Sequence, residues 1–235
     1  MKKHFFTINW KYAIGEIIIV IIGITIAFAL NRWAANRQDQ ILADQYLENL
    51  KLDIENDANT LQENMDKIKN SIANHRFIMN FLNENNGPRD SIAQVFFAEL
   101  SKDYDFFLNL LTFEALKYYC NLKLIKDFQL RNDIVKHYEQ YALLERAKSK
   151  FDNINSEYTA RIFMEEVDFK NMYAKGDFSF FDHPVVQNVI YSNAGVFYQM
   201  HNDHEAALNR CRILIERLEE ALMPLQTSDK AKQQQ

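Results

Sequence analysis

A chain of 235 residues, of which 48% are hydrophobic and 25% are charged, has the composition of a folded protein, and this excludes an intrinsically disordered chain. Its formal net charge of −5, with acidic and basic residues interspersed, argues against a nucleic-acid partner. Only five glycines and three prolines are available for turns, so we predict an all-α fold.

The first predicted element is a transmembrane helix over residues 12–33, which follows a short tail at residues 1–11. The apolar run from Tyr12 to Leu30 is about as long as a bilayer core requires, and Glu16 is its one charged residue. The basic start of the chain and the small residues near the end of the run also fit a cleaved signal peptide. Because the apolar run is longer than a usual signal core, we favour an uncleaved anchor.

Basic residues around this segment predict its orientation. Lys2, Lys3 and Lys11 precede the span, whereas Arg32 and Arg37 follow it. By the positive-inside rule, this bias places the N-terminus in the cytoplasm and the large C-terminal part outside it. We therefore expect a single-pass protein of a bacterial inner membrane with a periplasmic domain.

One face of the span carries the residues expected to bind another helix. Gly15 and Gly23 are eight residues apart and, with Ala27, leave a shallow groove. Glu16 beside them either pairs with a group on a partner or snorkels to the lipid headgroups. We predict lateral association with a second copy or with another inner-membrane protein. The residues expected to anchor the helix at the membrane interface are Asn31, Arg32 and Trp33.

A long helix is predicted to continue beyond the membrane, because neither glycine nor proline lies between Gly23 and Gly87. Past the span, its apolar positions follow the alternating spacing of four and three residues that is typical of a bundle helix. These positions are Ile54, Ala58, Leu61, Met65, Ile68, Ile72, His75, Met79 and Leu82. The sequence Asn85-Asn86-Gly87-Pro88 is predicted to end the helix.

Two short helices are predicted next, one capped by Asp90 and one capped by Thr112. Another long helix is expected to begin after Asp127. Its inward face comprises Ile134, Tyr138, Tyr141, Leu144, Phe151, Ile154, Tyr158 and Ile162. The aromatic-rich stretch 170–182 is predicted to be a loop that packs on the helices.

The last helix is predicted to begin at Asp182-His183-Pro184 and to end at Pro224. Its inward stripe comprises Val186, Ile190, Asn193, Phe197, Met200, His204, Ala207, Cys211, Leu214, Leu218 and Ala221. If the short helices count as one antiparallel return, residues 34–225 form an up-down-up-down four-helix bundle, and a polar flexible tail follows at 226–235.

Several blocks of the sequence carry a family resemblance. The most specific is Tyr12-Ala13-Ile14-Gly15-Glu16-Ile17, with Leu30-Asn31-Arg32-Trp33 at the end of the apolar run. Further blocks are residues 46–50, 113–116, 121–125 and 130–132. With these blocks the chain resembles a widespread family of bacterial single-pass membrane proteins of unknown function that open with a YAIGEI-type span. The resemblance implies the topology and no activity, and it implies a small residue at the position of Cys120.

Polar residues at inward positions are the candidates for a site outside the span. His75, Asn193 and His204 either set helix register or line a small-ligand pocket between helices. His201 and His204 have the spacing of two metal ligands on a helix, but the sequence offers no second ligand pair, so we predict no metal site. We predict that Cys120 and Cys211 are reduced and buried, and a single bridge in an oxidising compartment is the alternative.

The sequence predicts a role in interaction rather than catalysis. It contains no nucleophile elbow, phosphate loop, paired-cysteine metal motif or dinucleotide fingerprint, so we predict neither an enzyme nor a cofactor. The first hypothesis is a structural or interaction protein that associates through its span. The alternative is a ligand-sensing bundle that signals to a separate membrane partner. A cavity lined by His75, Asn193 and His204 would favour sensing, and a tightly packed dry seam would favour the structural role.

Overall fold

The structure, a computed structural model, describes residues 10–84, 87–102, 104, 107–170, 173–174 and 178–232. Among these residues the α-helices are α1 (Trp10–Glu84), α2 (Arg89–Leu100), α3 (Leu111–Tyr118), α4 (Phe128–Ile154), α5 (Ala160–Glu166) and α6 (Pro184–Lys232). Two-residue strands β1 (Val167–Asp168) and β2 (Tyr173–Ala174) pair antiparallel. The all-α prediction is confirmed. The chain divides into two compact units, Met1–Tyr46 and Leu47–Gln235, which are described separately.

In the first unit, α1 contains a segment that is long and apolar enough to cross a membrane. Its large apolar side chains are exposed, with Ile19 at 71%, Phe28 at 70% and Leu30 at 62% of their full accessible surface. As the sequence predicts, the helix has no break at the end of the apolar run, and it continues to Glu84.

In the second unit, the inward stripe of α1 differs in part from the predicted one. Ile54, Leu61, Ile68 and His75 are buried as expected. At the alternate positions, Ala58, Ile72 and Met79 are only partly buried, and the residue before each of them, Asp57, Ser71 and Ile78, is buried instead. The sequence pattern follows the apolar residues, but at two of these positions a polar side chain with a buried hydrogen-bond partner lies inside: Asp57 bonds to Tyr141 and Ser71 to Tyr104.

The helix starts are correctly predicted where a side chain caps the first turn. Asp127 precedes α4, and its carboxylate accepts hydrogen bonds from the backbone N–H groups of Gln129 and Leu130. α6 begins at Pro184, as predicted, with the Val185 N–H donating to His183 Nδ1 at 3.2 Å.

The two caps predicted for the short helices are wrong. α2 begins one residue before Asp90, with Pro88 at the cap position, so Asp90 lies in the first turn. α3 begins at Leu111 rather than after Thr112. In both cases a residue without a capping side chain, Pro88 or Leu110, holds the cap position.

The inward face of α4 is confirmed as far as Phe151, and a π-helical turn at Asn155–Thr159 then changes its register. A π turn contains more residues than an α turn, so the side chains that follow it rotate around the helix axis. Thr159 is consequently buried, whereas Tyr158, predicted to face inward, is 42% exposed. Ile162 in α5 is buried, as predicted.

The inward stripe of α6 is confirmed over almost its whole length. From Val186 to Leu218 every predicted position is buried. At the end of the stripe Ala221 is exposed and its neighbour Leu222 is buried. The helix runs past Pro224, where the sequence predicts its end, to Lys232.

Contacts along α6 give the directions of the long helices in the second unit. Lys51 of α1 pairs with Glu219 at 2.7 Å, and the Tyr191 hydroxyl donates to Asn83 Oδ1 at 2.9 Å. Residue numbers therefore rise along α1 while they fall along α6, so these helices are antiparallel.

The same argument applies to α4. Asp133 forms an ion pair with Arg217, and Lys150 Nζ donates to Gln199 Oε1 at 2.8 Å. α4 is therefore also antiparallel to α6, and α1 and α4 run in the same direction. Aromatic rings fill the core between these helices, for example Phe151 and Phe197, whose centroids are 5.2 Å apart.

Candidate functional site

The predicted helix-binding face of the span is open within the first unit. A Cβ atom added to Gly15 or Gly23 would have no neighbouring atom within 4 Å. Glu16 and Ala27 are exposed, and Glu16 borders a shallow hollow with Ile17, Val20 and Ile21.

The predicted interfacial anchors follow along the same helix. Asn31, Arg32 and Trp33 are exposed, with Trp33 at 64%. Their side chains are therefore available to contact lipid headgroups.

His75, Asn193 and His204 are buried, and each has a hydrogen-bond partner. His75 Nδ1 lies 2.9 Å from the Ser71 carbonyl oxygen, and His204 Nδ1 lies 2.7 Å from the Met200 carbonyl oxygen. Asn193 Nδ2 donates to Asn155 Oδ1 at 3.4 Å. Burial lowers the pKa of both His75 and His204, which keeps the two imidazoles neutral.

The described contacts place these three residues at different points along the helices. Asn193 and His204 are 11 residues apart on α6, which corresponds to about 16 Å along a helix axis. The His75 ring packs edge-on against Phe197 with a centroid distance of 4.9 Å. Each of the three side chains is therefore bonded to a partner outside this set.

A buried hydrogen-bond network that the sequence analysis did not single out joins α1 to α4. The Tyr141 hydroxyl donates to Asp57 Oδ2 at 2.8 Å and lies 2.7 Å from His137 Nε2. Because the hydroxyl proton points to Asp57, its oxygen accepts the proton of His137 Nε2. Cys211 Sγ of α6 lies 4.0 Å from the same hydroxyl, and all four side chains are buried.

The interior changes the acidity of these groups. Burial raises the pKa of Asp57, although the hydrogen bonds from Asn109 and Tyr141 oppose that rise. Burial also lowers the pKa of His137 to about 4 and raises that of Cys211 to about 12. At neutral pH His137 is thus a neutral hydrogen-bond donor, and Cys211 is an unreactive thiol.

Asp53 and Asp57 also hold the start of α3 against α1. The Asn109 backbone N–H donates to Asp57 Oδ1 at 2.7 Å, and the Asn109 side-chain amide donates to Asp53 Oδ1 at 2.6 Å. The Thr112 N–H donates to Asp53 Oδ2 at 3.3 Å. The Asp53 carboxylate of α1 therefore accepts a hydrogen bond from the first turn of α3, as the side chain of an N-cap residue usually does. This explains why Thr112 does not cap α3 itself.

A second group of buried polar side chains joins α1 to α2 and to the residues that follow α2. The Glu99 side chain is 1% exposed, and its Oε1 accepts hydrogen bonds from Lys102 Nζ and Asn74 Nδ2, each at 2.5 Å. The Tyr104 hydroxyl is hydrogen-bonded to Ser71 Oγ. Burial opposes ionisation of Glu99, but the hydrogen bonds from Lys102 and Asn74 outweigh it and lower its pKa.

An open cleft of about 570 Å³ lies between α3 and α4. Its aromatic lining consists of Phe107, Phe113, Tyr138 and Tyr141. The Phe113 and Tyr138 rings are stacked, with centroids 4.2 Å apart. Tyr141 belongs both to the cleft wall and to the Asp57 network, so this side chain connects the cleft to α1.

The rim of this cleft is charged. Glu114, Glu139 and Glu145 line it together with one basic residue, Lys117. The Lys117 ammonium pairs with Glu114 at 3.0 Å and lies 5.2 Å from the centroid of the Phe113 ring. The charged lining residues carry three negative charges and one positive charge, so the rim has a net charge of −2.

The two cysteines do not form a bridge. Cys211 is fully buried on α6, as predicted, but the burial predicted for Cys120 is wrong, since its side chain is exposed. In the described part of the chain, no group of three or more His, Cys, Asp or Glu side chains is placed to hold a metal ion.

Comparison with known proteins finds no matching protein family, no similar curated protein and no similar solved structure. The family resemblance of the opening segment therefore stays a prediction.

Proposed function

We propose that this chain is a single-pass protein of the bacterial inner membrane that acts by association rather than by catalysis. Residues 12–33 cross the membrane, the tail at 1–11 is cytoplasmic, and residues 34–225 form the periplasmic domain. The face formed by Gly15, Glu16, Gly23 and Ala27 binds a second transmembrane helix, either from another copy or from another inner-membrane protein.

The observation that carries this proposal is the open face of the span. Without a membrane-spanning neighbour, the small residues Gly15 and Gly23 leave space that no atom of the first unit fills. Close backbone approach at small residues is a main source of helix association in lipid, where apolar side chains gain little from leaving their surroundings. Glu16 beside the glycines adds a group whose desolvation a polar partner would offset.

The helical domain fits the same role. The three long helices of this domain are α1 and α4, which run in the same direction, and α6, which is antiparallel to both. We propose that the short helices α2 and α3 complete a four-helix-bundle-like arrangement. The burial of His75, Asn193 and His204, each with a hydrogen-bond partner inside the helical domain, supports a structural role for these residues.

Photo-crosslinking in native membranes tests the association. Ile19 lies on the same side of the helix as Gly15 and Gly23, whereas Ile21 lies on the opposite side. Both side chains are exposed, at 71% and 57%, so a benzoylphenylalanine fits at either position. We expect crosslinks from position 19 only.

The mass of the crosslinked product identifies the partner: twice the chain mass indicates self-association, and any other mass indicates a different protein. Equal crosslinking from positions 19 and 21, or none from either, would contradict a specific helix-binding face.

The cleft between α3 and α4 favours a second candidate function, ligand sensing by the helical domain. Its wall residue Tyr141 is hydrogen-bonded to Asp57 of α1, the helix that also contains the span. A compound that occupies the cleft should then change the crosslinking yield from position 19. An unchanged yield at saturating compound would remove sensing as a function.

A further inference from the structure

We infer that the cleft between α3 and α4 binds a small organic cation, an ammonium group attached to an aromatic or aliphatic body. The inference rests on ligand sensing, the second candidate function, and names the chemical class of its ligand. Three observations carry it: the lining of the cleft, the charge of its rim, and the position of Lys117.

The cleft has an apolar lining and a volume that suits a small molecule. A volume of about 570 Å³ lies within the range of small-molecule pockets. Phe113 belongs to α3 and Phe107 precedes that helix, whereas Tyr138 and Tyr141 belong to α4. Aromatic faces bind an apolar body, and they attract cations through the negative potential of the ring face.

The rim selects the charge of the ligand. Three glutamates against one lysine give a negative potential at the mouth of the cleft. An anionic compound is disfavoured here, and a cationic one is favoured over a neutral compound of the same shape.

Lys117 shows where the ammonium group binds. Its Nζ lies 5.2 Å from the centroid of Phe113 and 3.0 Å from Glu114 Oε1, so one aromatic face and one carboxylate already hold a primary ammonium. Lys117 is half exposed, and the side chain can move away to solvent. A ligand ammonium would then take its place between Phe113 and Glu114.

A series of three indoles with one body and three charges tests the inference. Tryptamine is cationic at neutral pH, tryptophol is neutral, and indole-3-acetate is anionic. The full chain in lipid nanodiscs is titrated with each by calorimetry, and empty nanodiscs correct for partition into lipid. We expect tryptamine to bind about tenfold more tightly than tryptophol, and indole-3-acetate to bind most weakly. No binding by any of them at millimolar concentration, or tighter binding of the anion, would overturn the inference.

A blocking variant locates the binding. Ala142 lines the cleft from the exposed side of α4, so Ala142→Trp fills the cleft without disturbing the core. The adjacent Leu143 is 40% exposed and does not line the cleft, so Leu143→Trp is the matched control. Ala142→Trp should abolish tryptamine binding, and Leu143→Trp should leave it unchanged. Equal binding in the two variants would place the ligand elsewhere.

Removal of the Lys117 ammonium should strengthen ligand binding, in contrast to the blocking variant. Lys117→Met frees the Phe113 face and Glu114, so tryptamine should bind about threefold more tightly. Lys123→Met removes the same charge from an exposed position outside the cleft lining and should not tighten binding. Weaker or unchanged binding by Lys117→Met would refute the cation position. These titrations measure binding alone, so their failure leaves the crosslinking test of association unaffected.

Discussion

At the scale of single residues, Cys120 has a backbone conformation that suits glycine. Its φ of 55° and ψ of 30° lie in the left-handed region, where the Cβ of an L-residue crowds the following carbonyl oxygen at a cost of about 1–2 kcal/mol. The side chain is exposed and forms no bridge, so it gains little from burial.

We therefore expect Cys120→Gly to raise the free energy of unfolding by about 1 kcal/mol. Urea unfolding of the detergent-solubilised chain, followed by circular dichroism at the helix signal, measures this change. Cys120→Ala removes the same sulfur and keeps the Cβ, so it should give no gain. A gain of the same size in Cys120→Ala would assign the effect to the thiol instead of the backbone.

His137 should make the helical domain less stable in acid. Its pKa falls from 6.5 to about 4 on folding, because burial and the charge of Arg210 disfavour the imidazolium. Between these values the unfolded chain binds the proton and the folded chain does not, so stability is lost as pH falls from about 6.5 to about 4. The full loss from this group is about 3 kcal/mol.

His137→Gln tests this effect, since a glutamine amide can donate to the Tyr141 hydroxyl without titrating. Urea unfolding of both proteins across this pH range should show a smaller loss in the variant. Asp57, whose pKa is raised, acts in the opposite direction and is present in both proteins, so the difference between them isolates His137. Equal pH dependence would mean that His137 is not desolvated in the folded chain.

At the scale of helices, sequence periodicity predicts the inward face wherever apolar residues alone define it. α6 follows its stripe from Val186 to Leu218 because every inward position there suits a bundle core. α1 departs from its predicted stripe because Asp57 and Ser71 take inner positions and hydrogen-bond Tyr141 and Tyr104. No local propensity places a carboxylate inside, since the partner comes from a helix more than 80 residues away.

A signal for the polar network was nevertheless present. Asp57, Asn64 and Ser71 repeat every seven residues along α1, and all three are buried. A polar heptad position beside an apolar one is typical of helices that specify their partners. The π turn at Asn155–Thr159 has no comparable signal in the sequence, so periodicity predicts the wrong face for Tyr158.

The span is the element whose association is most directly testable by mutation. We expect Glu16→Gln to weaken assembly in native membranes about a hundredfold, because losing one partner of a buried charge pair costs on the order of 3 kcal/mol. Gly23→Leu should weaken it as well by closing the helix face, where an added Cβ now meets open space. Melting of the helical domain should stay unchanged in both variants.

Crosslinking yield from position 19 measures this assembly. Ile21→Leu, on the opposite side of the helix, serves as the control and should retain the yield of the unchanged chain. If Glu16→Gln and Gly23→Leu also retain it, the span serves only as an anchor, and the partner surface lies on the helical domain.

At the scale of the whole molecule, the orientation in the membrane decides which compartment the cleft and the helical domain face. The bias of Lys2, Lys3 and Lys11 over Arg32 and Arg37 predicts that the helical domain is periplasmic, and cysteine labelling measures it. Lys67 is exposed on α1 well beyond the span, so a cysteine there reports the compartment of the second unit.

We expect Lys67→Cys, in a chain whose exposed Cys120 is replaced by glycine, to react with a membrane-impermeant maleimide in cells with a permeabilised outer membrane. Cys211 is fully buried and should not react in the folded chain. A cysteine at Lys3 is the matched control, and it should react only after the inner membrane is broken. If the cysteine at Lys3 reacts in these cells and the cysteine at Lys67 reacts only after the inner membrane is broken, the helical domain is cytoplasmic. The ligands available to the cleft are then those of the cytoplasm.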